Sequence, residues 1–294
     1  MGKADMNMLG KVLASGADLW ISPDYRVENP EDFAPALFTR GDRSVLAGPC
    51  VAIVGTRKAS TYGQAVATKF AEELGRSGVT IVSGGATGID AAAHHGALQV
   101  GGATAVVLGG GIDRVYPAAH RDLFDRIAAG RGILISQYAI GTAPMDYTFR
   151  NRNFTIAALA DAVIMIEVPE KSGALVTASA ANDQNKPVLV VPGNITNPSF
   201  RGSHRLLRDG AILVDHPDHG LEALDLPVGA PAVGSAPTSL TQAAVLDALA
   251  GDVLSIEKLA DRTDMNVADL LEELTMMEIE GLVLRDGIGY ALKP

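Results

Sequence analysis

The chain has 294 residues, of which 47% are hydrophobic and 20% charged, a composition that excludes intrinsic disorder and suits one large domain with a small appendage. Its net charge of −10 argues against a nucleic-acid partner, but residues 238–294 hold 4 Lys/Arg and 11 Asp/Glu and account for −7 of that charge. Residues 1–237 therefore carry only −3, which leaves room for a local basic groove.

Cysteine content and the N-terminus bear on the cellular compartment. The single cysteine, Cys50, precludes an intrachain disulfide, and its place beside an apolar run predicts a buried side chain rather than a nucleophile. The first residues lack the pattern of a signal peptide, and no apolar run is long enough to cross a bilayer. We expect a cytoplasmic protein with no membrane part.

Regular alternation of strand and helix patterns begins at residue 48. Residues 1–47 are predicted to form an N-terminal extension packed onto the main domain. The strands predicted after it are short, rich in Val and Ile, and apolar on both faces, at 51–54, 79–82, 103–108, 132–135, 162–166, 187–191 and 211–214. Helical patterns lie between them at 63–76, 89–100, 121–129, 152–160, 175–185 and 203–208. This order predicts an α/β fold: an extended Rossmann-like, doubly wound, mostly parallel sheet over 48–216.

The last part of the chain changes character. Residues 217–237 contain four prolines and are predicted to be a linker. Helical patterns follow at 241–250, 255–262 and 267–280, and then a hairpin turning at Asp286-Gly287. That order predicts a small C-terminal winged-helix domain over 238–294.

Four loops follow the carboxyl ends of predicted strands, where open α/β sheets bind ligands. They span 55–58, 83–90, 109–111 and 170–177. Glycine lets backbone N–H groups approach a phosphate, and a helix N-terminus adds its positive end. We expect the second loop to bind phosphate; for 109–111, tight turns and binding remain equal alternatives. The nucleotide fingerprints G-x-G-x-x-G and G-x-x-x-x-G-K-[ST] do not occur at these positions.

Residues 146–154 interleave aromatic side chains, arginines and asparagines. Exposed aromatic rings stack on bases and arginines contact phosphates, although Tyr147 and Phe154 suit a core equally well. Unpaired guanidinium groups are rarely buried, so Arg150 and Arg152 are expected at the surface. The basic residues of 201–208 suit a solvated helix face at least as well as DNA contact. His94 and His95 are adjacent and point in different directions, so a packing role is favoured over metal binding, and no zinc-ligand spacing occurs.

The residues of these loops resemble the DNA-processing protein A family (DprA, also called Smf). The resemblance covers residues 37–224 and rests on several motifs in the family's order, including Gly55-Thr56-Arg57, Gly88-Ile89-Asp90, Tyr116-Pro117, Ser172-Gly173 and Pro192-Gly193. It implies a Rossmann-like domain that binds single-stranded DNA, dimerises, and loads a RecA-type recombinase on DNA that enters during natural transformation. We also expect no catalytic residue, cofactor or metal.

The family's DNA pocket carries over to specific positions of this sequence. The matched DNA-binding residues are Gly55, Arg57, Lys58, Ser83, Gly84, Gly85, Thr87, Gly88, Arg150, Arg152, Asn153, Lys171, Ser172, Gly173 and Thr177. The chain departs from the family at Thr87, where arginine is usual, at Asn151-Arg152-Asn153-Phe154, and at Ser203-His204. It is therefore expected to be a divergent member.

Two further hypotheses remain open at this point. A nucleotide-binding or nucleotide-hydrolysing Rossmann-like enzyme is the alternative function, although the Pro-Gly-Gly-x-Gly-Thr pattern of phosphoribohydrolases is replaced here by Val191-Pro192-Gly193-Asn194. The C-terminal domain is expected to meet protein or act as a spacer, because its candidate recognition helix, 267–280, carries five acidic residues and no Lys or Arg.

Overall fold

The computed structural model describes residues 18–21, 36–228, 240–249, 253–263, 265–279, 282–286 and 289–292. The chain forms two compact units, residues 1–232 and residues 233–294. Among the described residues, no helix combines the length and the apolar character that crossing a membrane requires.

The first unit is built on one sheet, which has nine strands among the described residues. In chain order they are β1 Asp18–Ile21, β2 Ala36–Gly41, β3 Cys50–Gly55, β4 Thr80–Ser83, β5 Thr104–Val107, β6 Gly132–Ser136, β7 Ala162–Ile166, β8 Val188–Val190 and β9 Ile212–Leu213. Their spatial order is β1-β2-β6-β5-β4-β3-β7-β8-β9. The seven strands from β6 to β9 in that order are parallel, so the predicted mostly parallel, doubly wound sheet is confirmed.

Strand order reverses beside the central strand β3. The chain first winds outward from β3 through β4 and β5 to β6, and then returns to place β7 on the other side of β3. The connections after β3 and β7 leave the sheet towards opposite faces, which opens a crevice at their carboxyl ends. The fold thereby defines one position at which a ligand is expected.

Helices cover both faces of the sheet. They are α1 Thr61–Arg76, α2 Ile89–Gln99, α3 Arg121–Ala129, α4 Asp146–Leu159, α5 Ala174–Asp183, α6 Arg201–Arg208 and α7 Asp218–Glu222. One core joins α1 and α2 to the sheet through fully buried side chains such as Leu74 and Ile89. The opposite core joins α4 and α5 through Ile156 and Ala178. Burial on both faces explains why the strands are apolar throughout.

Both ends of the first unit extend beyond the predicted boundaries. Within the segment expected to be a packed extension, β1 and β2 pair antiparallel and β2 joins β6, so they lengthen the sheet itself. At the other end, α7 begins inside the predicted linker, and Leu221 is buried in the core of α1 and α2. Proline frequency indicated a linker there, but a buried leucine outweighs it.

The second unit contains the helices α8 Leu240–Ala248, α9 Ile256–Thr263 and α10 Val267–Ile279, and the antiparallel strands β10 Val283–Asp286 and β11 Gly289–Leu292. They enclose a separate core that includes Val245, Leu259 and Leu274. Three helices followed by a hairpin confirm the predicted winged-helix domain. Gly287, in the turn predicted for the hairpin, lies outside the described residues.

Candidate nucleic-acid interface

A cavity of about 490 Å³ opens at the carboxyl ends of β3 and β7, where the strand order reverses. We call it the switch-point pocket. Its walls come from the end of β3, the loop after β4, helix α4 and the segment after β7. The lining residues are Val54, Gly55, Thr56, Arg57, Ala86, Asp90, Asp146, Phe149, Arg150, Arg152, Asn153, Ile156, Pro169, Lys171, Ser172, Gly173, Ala174, Val176 and Thr177.

The exposed charged side chains that line the switch-point pocket are three cations and one carboxylate, Asp146. Arg57, Arg150 and Lys171 are exposed and come from three separate walls. The Arg57 guanidinium carbon lies 4.9 Å from the centre of the Phe149 ring, within the range of a cation–π interaction. Three exposed cations and a half-buried aromatic ring in one cavity suit a ligand that carries both phosphate and a flat aromatic group.

The floor of the pocket holds a buried ion pair. Arg152 and Asp90 have only 4% and 9% of their side chains exposed, and Nη1 of Arg152 lies 4.0 Å from Oδ2 of Asp90. Burial raises the pKa of Asp90, opposed by the Arg152 guanidinium and by the N–H groups of Ala86 and Gly84. Burial lowers the pKa of Arg152 in turn. The expectation that Arg152 is exposed is wrong, because Asp90, which sequence reasoning left out of the site, neutralises it in the interior.

The glycine loop after β4 contacts both members of this ion pair. The N–H groups of Gly84 and Ala86, expected to face a phosphate, donate instead to Oδ2 of Asp90 at 3.1 and 3.4 Å. A Cβ atom at position 84 would lie 1.2 Å from Nη1 of Arg152, so only glycine leaves space for the guanidinium. Ser83 is fully buried, and its hydroxyl donates to the Ile53 carbonyl.

The glycines at 109–111 seat the start of α4. A Cβ atom at Gly109 would lie 2.4 Å from the Phe149 ring, and the Gly109 carbonyl accepts a hydrogen bond from the Thr148 hydroxyl. The Gly110 carbonyl accepts from Ser136 at 2.6 Å. Of the two alternatives for this loop, the described contacts favour a tight turn over ligand binding. The turn packs against Phe149 and keeps its ring at the pocket.

The segment after β7 closes the opposite wall. The Asn153 side chain donates to the Gly173 carbonyl at 3.0 Å, which ties α4 to this segment, and Ser172 Oγ accepts from the Ala174 N–H at 3.2 Å at the start of α5. The Thr177 hydroxyl is buried, lines the pocket, and has no hydrogen-bond partner among the described residues. An orphaned buried hydroxyl is costly, so a ligand that bonds to it would gain affinity.

Nine of the fifteen predicted DNA-binding residues line this one pocket: Gly55, Arg57, Arg150, Arg152, Asn153, Lys171, Ser172, Gly173 and Thr177. The other six, Lys58, Ser83, Gly84, Gly85, Thr87 and Gly88, do not line it. Sequence reasoning also missed Thr56, Ala86, Asp90 and Phe149. Asp90 ends the second loop and stands in the first turn of α2, where the helix dipole favours a carboxylate, and that signal could have identified it.

Several other polar residues have structural surroundings. His94 is fully buried, and its Nδ1 lies 2.7 Å from Thr104 Oγ1, as expected for a packing role. Ser203 is buried, and its hydroxyl oxygen accepts from the Val168 N–H at 3.0 Å. His204 Nε2 lies 3.0 Å from the Gly193 carbonyl. These two departures from the family pattern therefore lie outside the switch-point pocket.

Comparison with family models identifies both units. Residues 22–225 match the model described as DNA recombination-mediator protein A, and residues 229–287 match the DprA winged helix domain. Protein Smf of Escherichia coli K12 is 34% identical over 270 residues, which cover 88% of this chain and 72% of that protein. The putative DNA processing protein DprA of Mycobacterium tuberculosis H37Rv is 39% identical over 256 residues, covering 82% of this chain and 66% of that protein.

Solved structures give the same result. DNA processing protein A of Streptococcus pneumoniae superposes with a TM-score of 0.66 at 33% identity, covering 76% of this chain and 78% of that one. A Helicobacter pylori DNA processing protein A, from a study of its single-stranded DNA binding mode, superposes with a TM-score of 0.61 at 29% identity, covering 71% of this chain and 97% of that one.

Proposed function

Since the chain belongs to the DNA recombination-mediator protein A family (DprA/Smf), we propose that it binds single-stranded DNA in the switch-point pocket without preference for sequence. The observation that carries this proposal is that Arg57, Arg150 and Lys171 line one cavity together with Phe149, whose ring lies 4.9 Å from the Arg57 guanidinium carbon. Proteins that bind single strands combine cations that follow the backbone with aromatic rings that stack on bases. A relative from Helicobacter pylori is described as having a single-stranded DNA binding mode.

The contacts available in the pocket favour a polymer over a single nucleotide. The three exposed cations stand on three different walls, so successive phosphates can each meet one. Two amides of the glycine loop, those of Gly84 and Ala86, donate to Asp90 and are not available to form the compact phosphate cradle of nucleotide-binding enzymes. We therefore place the nucleotide-hydrolysing alternative second. Base release from nucleoside monophosphates by the pure protein would reverse that order.

Salt titration of single-strand binding tests the site. We expect Arg57→Ala, Arg150→Ala and Lys171→Ala each to weaken binding of a fluorescent oligothymidine. Each should also reduce the slope of log affinity against log salt by about 0.7, the value for one phosphate contact on a single strand. Arg76→Ala is the matched control. Arg76 is half exposed and ends α1 just before β4 begins, so it lies at the amino ends of the parallel strands, away from the pocket. Unchanged slopes for all three pocket variants would refute the site.

We further propose that the protein dimerises and loads a RecA-type recombinase on the bound strand, as in natural transformation. The edge strand β9 supports the first part: Ile212 and Leu213 are half exposed and β9 pairs only with β8 among the described strands. An unpaired apolar edge favours pairing with a second copy. Leu213→Lys should therefore shift the sedimentation of the protein to that of a monomer.

The second unit fits a protein partner better than duplex DNA. On α10, Asp269 and Glu278 are exposed, and Val267 and Leu271 each have 44% of their surface exposed. Exposed carboxylates are unfavourable near phosphates, and exposed apolar side chains suit a protein surface. Recombinase filament formation on single strands coated with a single-strand binding protein, with and without this protein, tests the loading proposal. No acceleration would contradict it.

A further inference from the structure

Tyr116 lies beside the switch-point pocket but does not line it. About half of its surface is exposed, at 49%. Its ring centre lies 5.3 Å from that of Phe149, with the two planes inclined at 49°. Among the described residues, its hydroxyl has no hydrogen-bond partner. An exposed tyrosine that rests on a second ring at this distance offers a free π-face to a ligand.

The support beneath Tyr116 is fixed. The Phe149 ring packs closely on Gly109, where an added Cβ atom would lie only 2.4 Å from the ring. The Thr148 hydroxyl, one residue earlier, binds the Gly109 carbonyl, so the start of α4 is tied to the loop that leads to Tyr116. A ring held in place before binding loses little conformational entropy when a ligand stacks on it.

The same Phe149 ring also carries a cation. The Arg57 guanidinium carbon lies 4.9 Å from its centre, so Arg57 and Tyr116 pack against the same aromatic ring. A phosphate held by Arg57 would place the adjoining nucleotide near the exposed face of Tyr116. We propose that Tyr116 forms a base-stacking subsite outside the switch-point pocket, which takes one unpaired nucleobase of the bound strand. This inference rests on the proposed single-strand function.

Abasic scanning tests the subsite directly. An oligothymidine is prepared with one abasic nucleotide, moved through every position, and its affinity is measured for the wild type, Tyr116→Ala, Tyr116→Phe and Tyr62→Ala. Removing one stacked base or its ring costs about tenfold in affinity. In the wild type, we expect an abasic nucleotide at the Tyr116 position to cost about that much. In Tyr116→Ala the intact oligonucleotide should already be weakened about tenfold, and the abasic penalty at that position should disappear.

The control variants separate stacking from a structural effect. Tyr116→Phe keeps the π-face and should bind like the wild type. Tyr62 is equally exposed, at 50%, but lies in the first turn of α1 with its hydroxyl 3.3 Å from the Pro192 carbonyl, so Tyr62→Ala should leave the scan unchanged. Equal weakening by Tyr62→Ala, or a Tyr116→Ala variant that keeps the full abasic penalty at every position, would overturn the subsite.

The outcomes also distinguish this inference from the function on which it depends. If the wild type binds no oligothymidine, the proposed function fails as well. If the wild type binds and Arg57→Ala weakens binding, but Tyr116→Ala matches the wild type, only the Tyr116 subsite fails.

Discussion

The buried pair of Asp90 and Arg152 gives the sharpest test of how the site is held together. Its charged atoms are 4.0 Å apart, and neither side chain is more than 9% exposed. At an effective dielectric constant of about 20, two unit charges at that separation attract by about 4 kcal/mol. Removing one partner leaves the other buried and unpaired, which typically costs 3–5 kcal/mol.

We expect Asp90→Asn to lower the free energy of unfolding of the first unit by about 3 kcal/mol. The asparagine carbonyl can still accept from the Gly84 N–H, so the loss of stability reports the removal of the negative charge and not the removal of this hydrogen bond. Arg152→Met should cost a similar amount, because it leaves the Asp90 carboxylate without its cation. The double variant leaves neither charge unpaired in the interior. Its loss of unfolding free energy should therefore be about 2–3 kcal/mol smaller than the sum of the two single losses.

Urea unfolding followed by circular dichroism measures the three variants, with the transition of the first unit fitted separately from that of residues 233–294. Two results would show that Asp90 and Arg152 do not form a stabilising ion pair. One is a loss below about 1 kcal/mol for both single variants. The other is a double variant whose loss equals the sum of the single losses, which would mean that the two side chains do not interact.

Three further predictions follow from the burial of single groups and from the division into two units. Burial lowers the pKa of His94 to about 3, below the unfolded value of about 6.5, so its stabilising contribution is present above pH 6.5 and is lost as the pH falls. The free energy of unfolding should fall by about 2 kcal/mol between pH 7 and pH 5 in the wild type, and this fall should be absent in His94→Asn. An equal fall in the His94→Asn variant would show that His94 is not the group responsible. Burial raises the pKa of the Cys50 thiol to about 12. A disulfide-exchange reagent at pH 8 should therefore label Cys50 only as fast as the first unit opens, and immediate labelling in the absence of denaturant would count against this. Deleting residues 238–294 should leave the single-strand affinity within about twofold, because that segment carries a net charge of −7, and loss of binding would show that the second unit contacts DNA.

The fold was predictable because its strands are apolar on both faces. Continuous runs such as those containing Ile53 and Ile164 occur in parallel sheets covered by helices, and helical patterns separate them at regular intervals. The antiparallel strands β1 and β2 gave no comparable signal. Their place at the edge of the sheet depends on the pairing of β2 with β6, whose partner residues lie 92 to 98 positions further along the chain, as in Gly41 with Ile133 and Phe38 with Ser136.

The site was predictable in position but not in the roles of its glycines. Strand ends that carry Arg57 and Lys171 indicated where a ligand would lie. The sequence could not reveal that Gly84 makes room for Arg152 or that Gly109 seats Phe149, because both contacts join segments that are far apart along the chain. Glycine beside a strand end has two explanations, close approach of a ligand or close approach of a side chain, and only three-dimensional contacts distinguish them.

Backbone hydrogen exchange with and without an oligothymidine tests the central claim most directly. We expect binding to slow exchange in residues 55–57, 146–153 and 171–177, which form three walls of the switch-point pocket, and to leave residues 240–292 unchanged. Protection confined to the second unit, or to the basic helix α6, would contradict it.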